Sequence, residues 1–248
     1  MTLTAAGLCD IGTKRDSNQD TIAWAVSDDG QRALSVVADG MGGYEGGEIA
    51  SQLASDTVME ALTPLLASGA QDTATLQDRI QDAITLANKR IHTVRSDHPK
   101  LSKMGTTLVL AWVQNNQACI AHLGDSRCYL LSGKTLTQLT RDDTVAQNMV
   151  DDGSITLEEV PRVPFRNVLT RALGSSDDAR ASFGHTNLAP GDRLILCSDG
   201  LTGAVTDADW PDIMAPAPSL EDQARRLVDI SLDHQAADNV SVVLVQSI

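Results

Sequence analysis

Apolar positions follow two periods along the chain, two near its ends and 3.6 in its first half, and the change between them outlines the fold. Leu3 to Cys9 alternates weakly before Asp10-Ile11-Gly12, and Thr21 to Val26 and Arg32 to Ala38 resume the pattern around Ser27-Asp28-Asp29-Gly30. A period of two bounded by Gly, Asp and Ser predicts strands joined by tight turns. From Glu48 the spacing lengthens. Ile49, Leu53, Val58, Leu62 and Leu65, then Leu76, Ile80, Ala83, Ile84, Ala87, Ile91 and Val94, mark two helices with a single apolar side, suited to covering a sheet. Thr75 and Asp78 have capping-box spacing, which predicts that the second helix begins there.

Four further strands are predicted at Gly105 to Val113, Gln117 to Leu123, Arg127 to Leu131 and Leu136 to Leu139. Their turns are too short for the crossover that parallel pairing needs, so they read as an antiparallel meander. After Thr140 the chain turns irregular and acidic, with a short helical stretch at Val145 to Val150 and a capping pair, Thr156 and Glu159, soon interrupted by Pro161 and Pro164. About 25 residues with little strand character is long for a plain connection and predicts a flap over a site. Strands return at Phe183 to Leu188 and Arg193 to Cys197. A helix over Leu220 to Leu232, with Ser219 and Asp222 at capping spacing, precedes a last strand, Val240 to Val245. The pattern predicts a β-rich, largely antiparallel α+β fold with helices on the faces, in four layers.

Composition narrows the function more than the fold. The 248 residues, 42% hydrophobic, have no Pro/Gly/Ser-rich linker and are expected to form one domain, 1–248. A formal net charge of -14 opposes nonspecific nucleic-acid binding, which depends on neutralising phosphates with a basic surface. Cys9, Cys119, Cys128 and Cys197 form no CxxC pair and sit in or beside apolar runs, as buried thiols in a reducing compartment do. The five histidines form no HExxH motif. No leader pattern or membrane-length apolar run is present, so the expectation is a cytoplasmic protein without a membrane anchor.

The candidate chemistry centres on Val36-Val37-Ala38-Asp39-Gly40-Met41-Gly42-Gly43 and the following Tyr44-Glu45-Gly46-Gly47-Glu48. A buried strand ends there in one carboxylate and a glycine-rich turn that lets main chain approach closely. The loop lacks the Gly-Lys-Ser/Thr ending of a nucleotide-binding loop, which disfavours that reading beside a plain tight turn and a metal or phosphate site, and all three stay open. Ser198-Asp199-Gly200 repeats the arrangement. With Asp20, Asp125 and Asp238, five aspartates border apolar strands beside Gly, Ser or Asn. One such aspartate is ordinarily a turn residue, but five gathered together would raise one another's pKa unless a positive charge compensates. Hard cations such as Mg²⁺ or Mn²⁺ supply it, and two of them can activate a shared water for attack on a phosphate ester. Arg15 is placed to grip phosphoryl oxygens. Gly124-Asp125-Ser126-Arg127-Cys128 has Cys where an esterase elbow needs Gly, and His122 reads as a packed strand residue.

Seven segments then carry a resemblance in order along nearly the whole chain: Arg15 to Asp20, Val37 to Gly43, Gly105-Thr106-Thr107, Leu123 to Arg127, Asn167 to Gly174, Cys197 to Leu201 and Asp238 to Leu244. The sequence resembles the metal-dependent protein serine/threonine phosphatases of the PP2C (PPM) family in their compact bacterial form. The resemblance implies a four-layer αββα sandwich of two antiparallel sheets, with the metals at one edge. It implies Asp39, Asp199 and Asp238 on a first ion, and Asp20, Asp39 and the Gly40 carbonyl on a second, with Asp39 bridging. Asp125, with Asp199 nearby, contributes to a weaker third ion, and Arg15 binds the substrate phosphate. The ions would be Mn²⁺ or Mg²⁺, the partners phosphorylated proteins made by a serine/threonine kinase and the kinase itself, in signal transduction, with the chain a monomer. A catalytically weak phosphoprotein-binding module and a hydrolase of small phosphate esters are the alternatives. The variable flap falls at about 142–167. Three departures stand out: Met41 in place of the general-acid histidine of animal members, Gln19 in place of their metal-binding glutamate, and Asp142-Asp143-Thr144 where Asp-His-Ser is usual.

Overall fold

The computed structural model describes residues 2–42, 46–215 and 217–248, so Gly43, Tyr44 and Glu45 of the glycine-rich loop lie outside the described residues. Strands β1 (Leu3–Asp10), β2 (Asp20–Val26) and β3 (Arg32–Met41) come first, then helices α1 (Gly47–Leu62) and α2 (Thr73–Asp97). Next are β4 (Gly105–Thr106), β5 (Leu108–Gln114), β6 (Gln117–Leu123), β7 (Arg127–Ser132) and β8 (Thr135–Gln138). Helix α3 (Val145–Asp151) lies in the flap, followed by β9 (Ser182–Asn187), β10 (Arg193–Cys197), α4 (Asp199–Ala204), α5 (Trp210–Met214), α6 (Leu220–Asp233) and β11 (Val240–Ser247). One sheet has the order β1-β11-β10-β7-β8, the other β2-β3-β5-β6-β9 with β4 on the end of β3, and every pairing is antiparallel.

The strand period separates three cores. In β3, Leu34, Val36 and Ala38 face α1 and α2, meeting Ala54, Val58, Ile84 and Ile91, whereas Ala33 and Val37 face the other sheet. In β10, Leu194 and Leu196 point between the sheets while Ile195 and Cys197 point to α4 and α6, among Leu201, Trp210 and Leu227. Both faces of the inner strands are therefore buried, which is why β5 and β11 read as nearly unbroken apolar runs. The expected four-layer sandwich follows directly from this arrangement. The four cysteines are unpaired. Among the described residues, no helix is long and apolar enough to cross a membrane.

Three local expectations need correction. Helix α2 begins at Thr73, because the Asp72 carboxylate accepts from the Thr75 amide and caps the helix one turn earlier than the Thr75-Asp78 pair implied. Strands β5 to β8 are not one meander: β5 and β6 pair in one sheet, β7 and β8 in the other, and the chain changes sheets at Gly124-Asp125-Ser126. Gly124 makes the change with φ 102, packed so closely on Thr107 that a Cβ would come within 2.6 Å of its side chain. The predicted strand from Gly105 is interrupted at Thr107. Helices α4 and α5 carry too few turns to show a period. The flap's Thr156-Glu159 capping box is present.

Candidate active site

The sandwich delivers all five aspartates to one end. Asp20 opens β2 and Asp39 nears the end of β3, and the ladder sets them directly opposite each other. Asp199 follows β10, Asp238 precedes β11, and Asp125 lies in the turn between β6 and β7. Each is a half-buried residue beside buried neighbours such as Ala38, Ser126, Ser198 and Asn239. Asp39, Asp125, Asp199 and Asp238 line a cleft of about 430 Å³ together with Arg15, Gln19, Gly40, Met41, Thr107, Asn167 and Arg171.

Backbone hydrogen bonds hold the ends of the strands. The Asp39 amide donates to Thr107 Oγ1 (3.0 Å), and its carbonyl accepts from the Thr107 amide (2.9 Å) and Thr106 Oγ1 (2.9 Å). The Thr106-Thr107 interruption therefore serves the Asp39 peptide. Both Asp-Gly pairs need glycine for close packing: a Cβ on Gly40 would lie 2.1 Å from the Gly47 carbonyl oxygen, and one on Gly200 1.9 Å from that of Asn239. What approaches these glycines is the protein's own backbone. Asn239 donates to the carbonyls of Ile11 and Ser17 and accepts from the Gln19 amide (2.8 Å), fixing the segment before Asp20. Gln19 itself donates to Glu48, and its carbonyl accepts from the Gly40 amide.

The two sheets meet at Asp20. Its Oδ2 accepts from Ser198 Oγ (2.8 Å) beside β10 and from Ser241 Oγ (2.7 Å) on β11, and both serines are fully buried. Burial raises the Asp20 carboxyl to about 6 despite these two donors, helped by the charges of Asp199 and Asp238. Burial and then Asp199 and Asp142 raise Asp125 to about 7. Asp39 is pushed well above the ordinary carboxylate range by burial and by Asp20, Asp199, Asp125 and Asp238; Asp199 moves the same way, through burial and Asp238. Among the described residues, one cation pairs with the cluster: Arg15 Nη2 donates to Asp238 Oδ2 at 2.6 Å.

Among the described residues, no three His, Cys, Asp or Glu side chains surround one point as a closed cage; Arg15 pairs with Asp238, and two serines share one oxygen of Asp20. The chemistry of the donors nevertheless fits hard cations: half-buried carboxylates whose pKa is raised by burial and then by one another's charge.

The 142–167 segment adjoins this end of the sandwich. Arg127 forms a bidentate pair with Asp142 (2.8 and 2.7 Å), and His122 Nε2 lies 2.8 Å from the Arg141 carbonyl, so His122 is the packed strand residue expected of it. A second cleft of about 470 Å³, bounded by Arg127, Gln147, Leu157, Val160 and Arg166, shares Asp125, Asn167 and Asp199 with the first.

Residues 13–238 match the family model of Protein phosphatase 2C. This chain belongs to that family. The phosphatase is 33% identical over 238 residues to protein phosphatase PhpP of Streptococcus pneumoniae, covering 96% of this chain and 95% of that one. Its fold superposes on serine/threonine phosphatase Stp1 from Staphylococcus aureus with a TM-score of 0.90 at 29% identity, over 100% of this chain and 96% of the other. The catalytic domain of the serine/threonine protein phosphatase PstP, solved with two manganese ions, gives a TM-score of 0.84 at 34% identity, over 98% and 97%. The supporting residues of this phosphatase, namely Thr106, Thr107, Ser198, Ser241 and Asn239, are not among the site residues expected from the sequence. Sequence adjacency to the aspartates marks Ser198 and Asn239, Thr106 and Thr107 lie in a matching segment, and Ser241 follows Asp238-Asn239 in another.

Proposed function

We propose that this phosphatase hydrolyses phosphoserine and phosphothreonine in proteins, as a single catalytic domain with a substrate-selecting flap at about 142–167. Asp39, Asp199 and Asp238 would hold one divalent cation, Asp20, Asp39 and the Gly40 carbonyl a second, and Asp125 with Asp199 would contribute to a weaker third. The observation that carries this reading is the gathering of carboxylates at one cleft with Arg15 as their only ion-pair partner among the described residues. Such a charge distribution is costly until cations enter it. When bound, Mn²⁺ or Mg²⁺ would neutralise the cluster and supply a shared hydroxide for direct attack on phosphorus.

The chain's own residues do the remaining work. Thr106 and Thr107 fix Asp39, and the buried serines leave Asp20 one oxygen without a recorded partner. Arg15, which now pairs with Asp238, has the planar guanidinium that could make a bidentate contact with the phosphoryl oxygens. The Met41 thioether has no titratable proton to give, so the leaving alkoxide would be protonated by water at the cleft or by another group. Thr107, a hydroxyl residue lining the cleft, is tied to the Asp39 amide and to Ser126, which suits support better than nucleophilic attack.

The names of PhpP, Stp1 and PstP support protein substrates, and the two manganese ions of PstP support a dinuclear site. By the same reasoning the partners are phosphoproteins modified by a serine/threonine kinase, the kinase included, met by a monomer in the cytoplasm. Catalytic efficiency on phosphothreonine peptides, compared with small phosphate esters, tests the substrate class: preference for the peptides supports it, and preference for the small esters overturns it.

A further inference from the structure

Two arginines line the catalytic cleft, and they behave differently. Arg15 pairs with Asp238 of the aspartate cluster. Arg171 lines the same cleft as Asp39, Asp125, Asp199 and Asp238, yet none of its recorded bonds reaches them. Its Nη2 donates to Asp143 Oδ1 (2.5 Å) and Ser182 Oγ (2.6 Å), and its Nη1 to the Arg180 carbonyl (3.2 Å).

Asp143 is 2% exposed and is itself locked in place. Its Oδ2 accepts from the Gly124 amide (3.0 Å), its amide donates to the Gly124 carbonyl (3.0 Å), and its carbonyl accepts from the Thr170 amide (2.8 Å). The Thr144–Leu169 bridge and the Val145 amide on the Val168 carbonyl continue this closure of the flap's two ends. Asp143 thus joins the root of the flap to the turn that carries Asp125, while holding the guanidinium of Arg171 to one side. A free guanidinium beside several half-buried carboxylates is drawn to them strongly, because their charges are poorly screened there.

We propose that Asp143 is a positioning residue that keeps Arg171 out of the aspartate cluster and so leaves those carboxylates free for divalent cations. The inference rests on the cluster being a cation site, as proposed above. It also gives a role to the Asp142-Asp143-Thr144 sequence that stands where Asp-His-Ser is usual.

Calorimetric titration of Mn²⁺ into metal-stripped protein tests it, using wild type, Asp143→Asn, the double variant Asp143→Asn/Arg171→Gln, and Asp39→Asn. Asparagine keeps the size of Asp143 and an acceptor for the Gly124 amide, and melting curves verify the fold. The expected result is Mn²⁺ affinity about tenfold weaker in Asp143→Asn, the equivalent of one charge-assisted contact. Affinity should return to near the wild-type value when Arg171 is also removed. A merely structural role for Asp143 predicts that the double variant binds no better than the single one, and that result overturns the inference. So does an unchanged affinity in Asp143→Asn. If wild type takes up no Mn²⁺, or Asp39→Asn binds it equally well, the cation-site reading itself fails and this inference goes with it.

Discussion

Stripping divalent cations from the protein should make its stability fall as pH rises across the neutral range. Burial and neighbouring charge raise Asp20 from 3.8 to about 6 and Asp125 from 3.8 to about 7, and Asp39 and Asp199 shift in the same direction. A carboxyl whose folded pKa exceeds its unfolded value holds its proton more tightly in the native state. Its contribution is therefore complete below the unfolded pKa and lost as pH rises through the folded one. Over the full range Asp20 is worth about 3 kcal/mol and Asp125 about 4 kcal/mol. Between pH 5 and pH 8, with the early part of each titration already past and the neighbours shared, about 3–4 kcal/mol remains. At about 2–4 °C per kcal/mol for a chain of this size, the melting temperature of EDTA-treated protein should drop by about 10 °C over that interval. Saturating Mn²⁺ should abolish most of the drop, and Asp125→Asn should flatten it in the metal-free protein. Carboxyls lowered by hydrogen bonds or ion pairs, such as Asp29, Asp72 and Asp151, lose their contribution below this window. Differential scanning calorimetry in matched buffers is the assay. A melting temperature that is flat or rises from pH 5 to pH 8 without metal would refute the reasoning.

Three substitutions separate support from chemistry. Gly200→Ala places a methyl 1.9 Å from the Asn239 carbonyl oxygen and should destabilise the protein by about 3 kcal/mol or more, seen as a lower urea midpoint. Asp72→Ala removes the α2 cap and should lower stability by about 1 kcal/mol while leaving kcat/KM unchanged in a phosphopeptide assay. Arg15→Ala should lower kcat/KM by about tenfold or more, with Mn²⁺ affinity equal to or tighter than wild type because the competitor of Asp238 is gone.

Much of the fold could be read from the sequence because burial on both faces of the inner strands left unmistakable apolar runs, as at Leu108–Gln114 and Val240–Ser247. Pairing was harder. Nothing in Gly124-Asp125-Ser126 distinguishes a hairpin turn from a step between sheets; that difference depends on which neighbour Gly124 packs against. The aspartates were legible one by one, since each interrupts an apolar run, and the structure brings all five to one end. The residues that hold them were less so. Ser198 and Ser241 lie 43 positions apart and meet only across β10 and β11, and Asp143 finds Arg171 across 28 positions of flap. Such long-range hydrogen bonds leave no local periodicity to read.

The central claim is that divalent cations gathered by these aspartates carry out phosphoprotein hydrolysis. Its most direct test is phosphate release from a phosphothreonine peptide by metal-stripped protein as Mn²⁺ or Mg²⁺ is returned, with Asp39→Asn measured alongside. The account predicts no turnover without metal, saturable recovery on adding it, and no recovery in the variant. Turnover that persists in EDTA, or that survives Asp39→Asn, would contradict it.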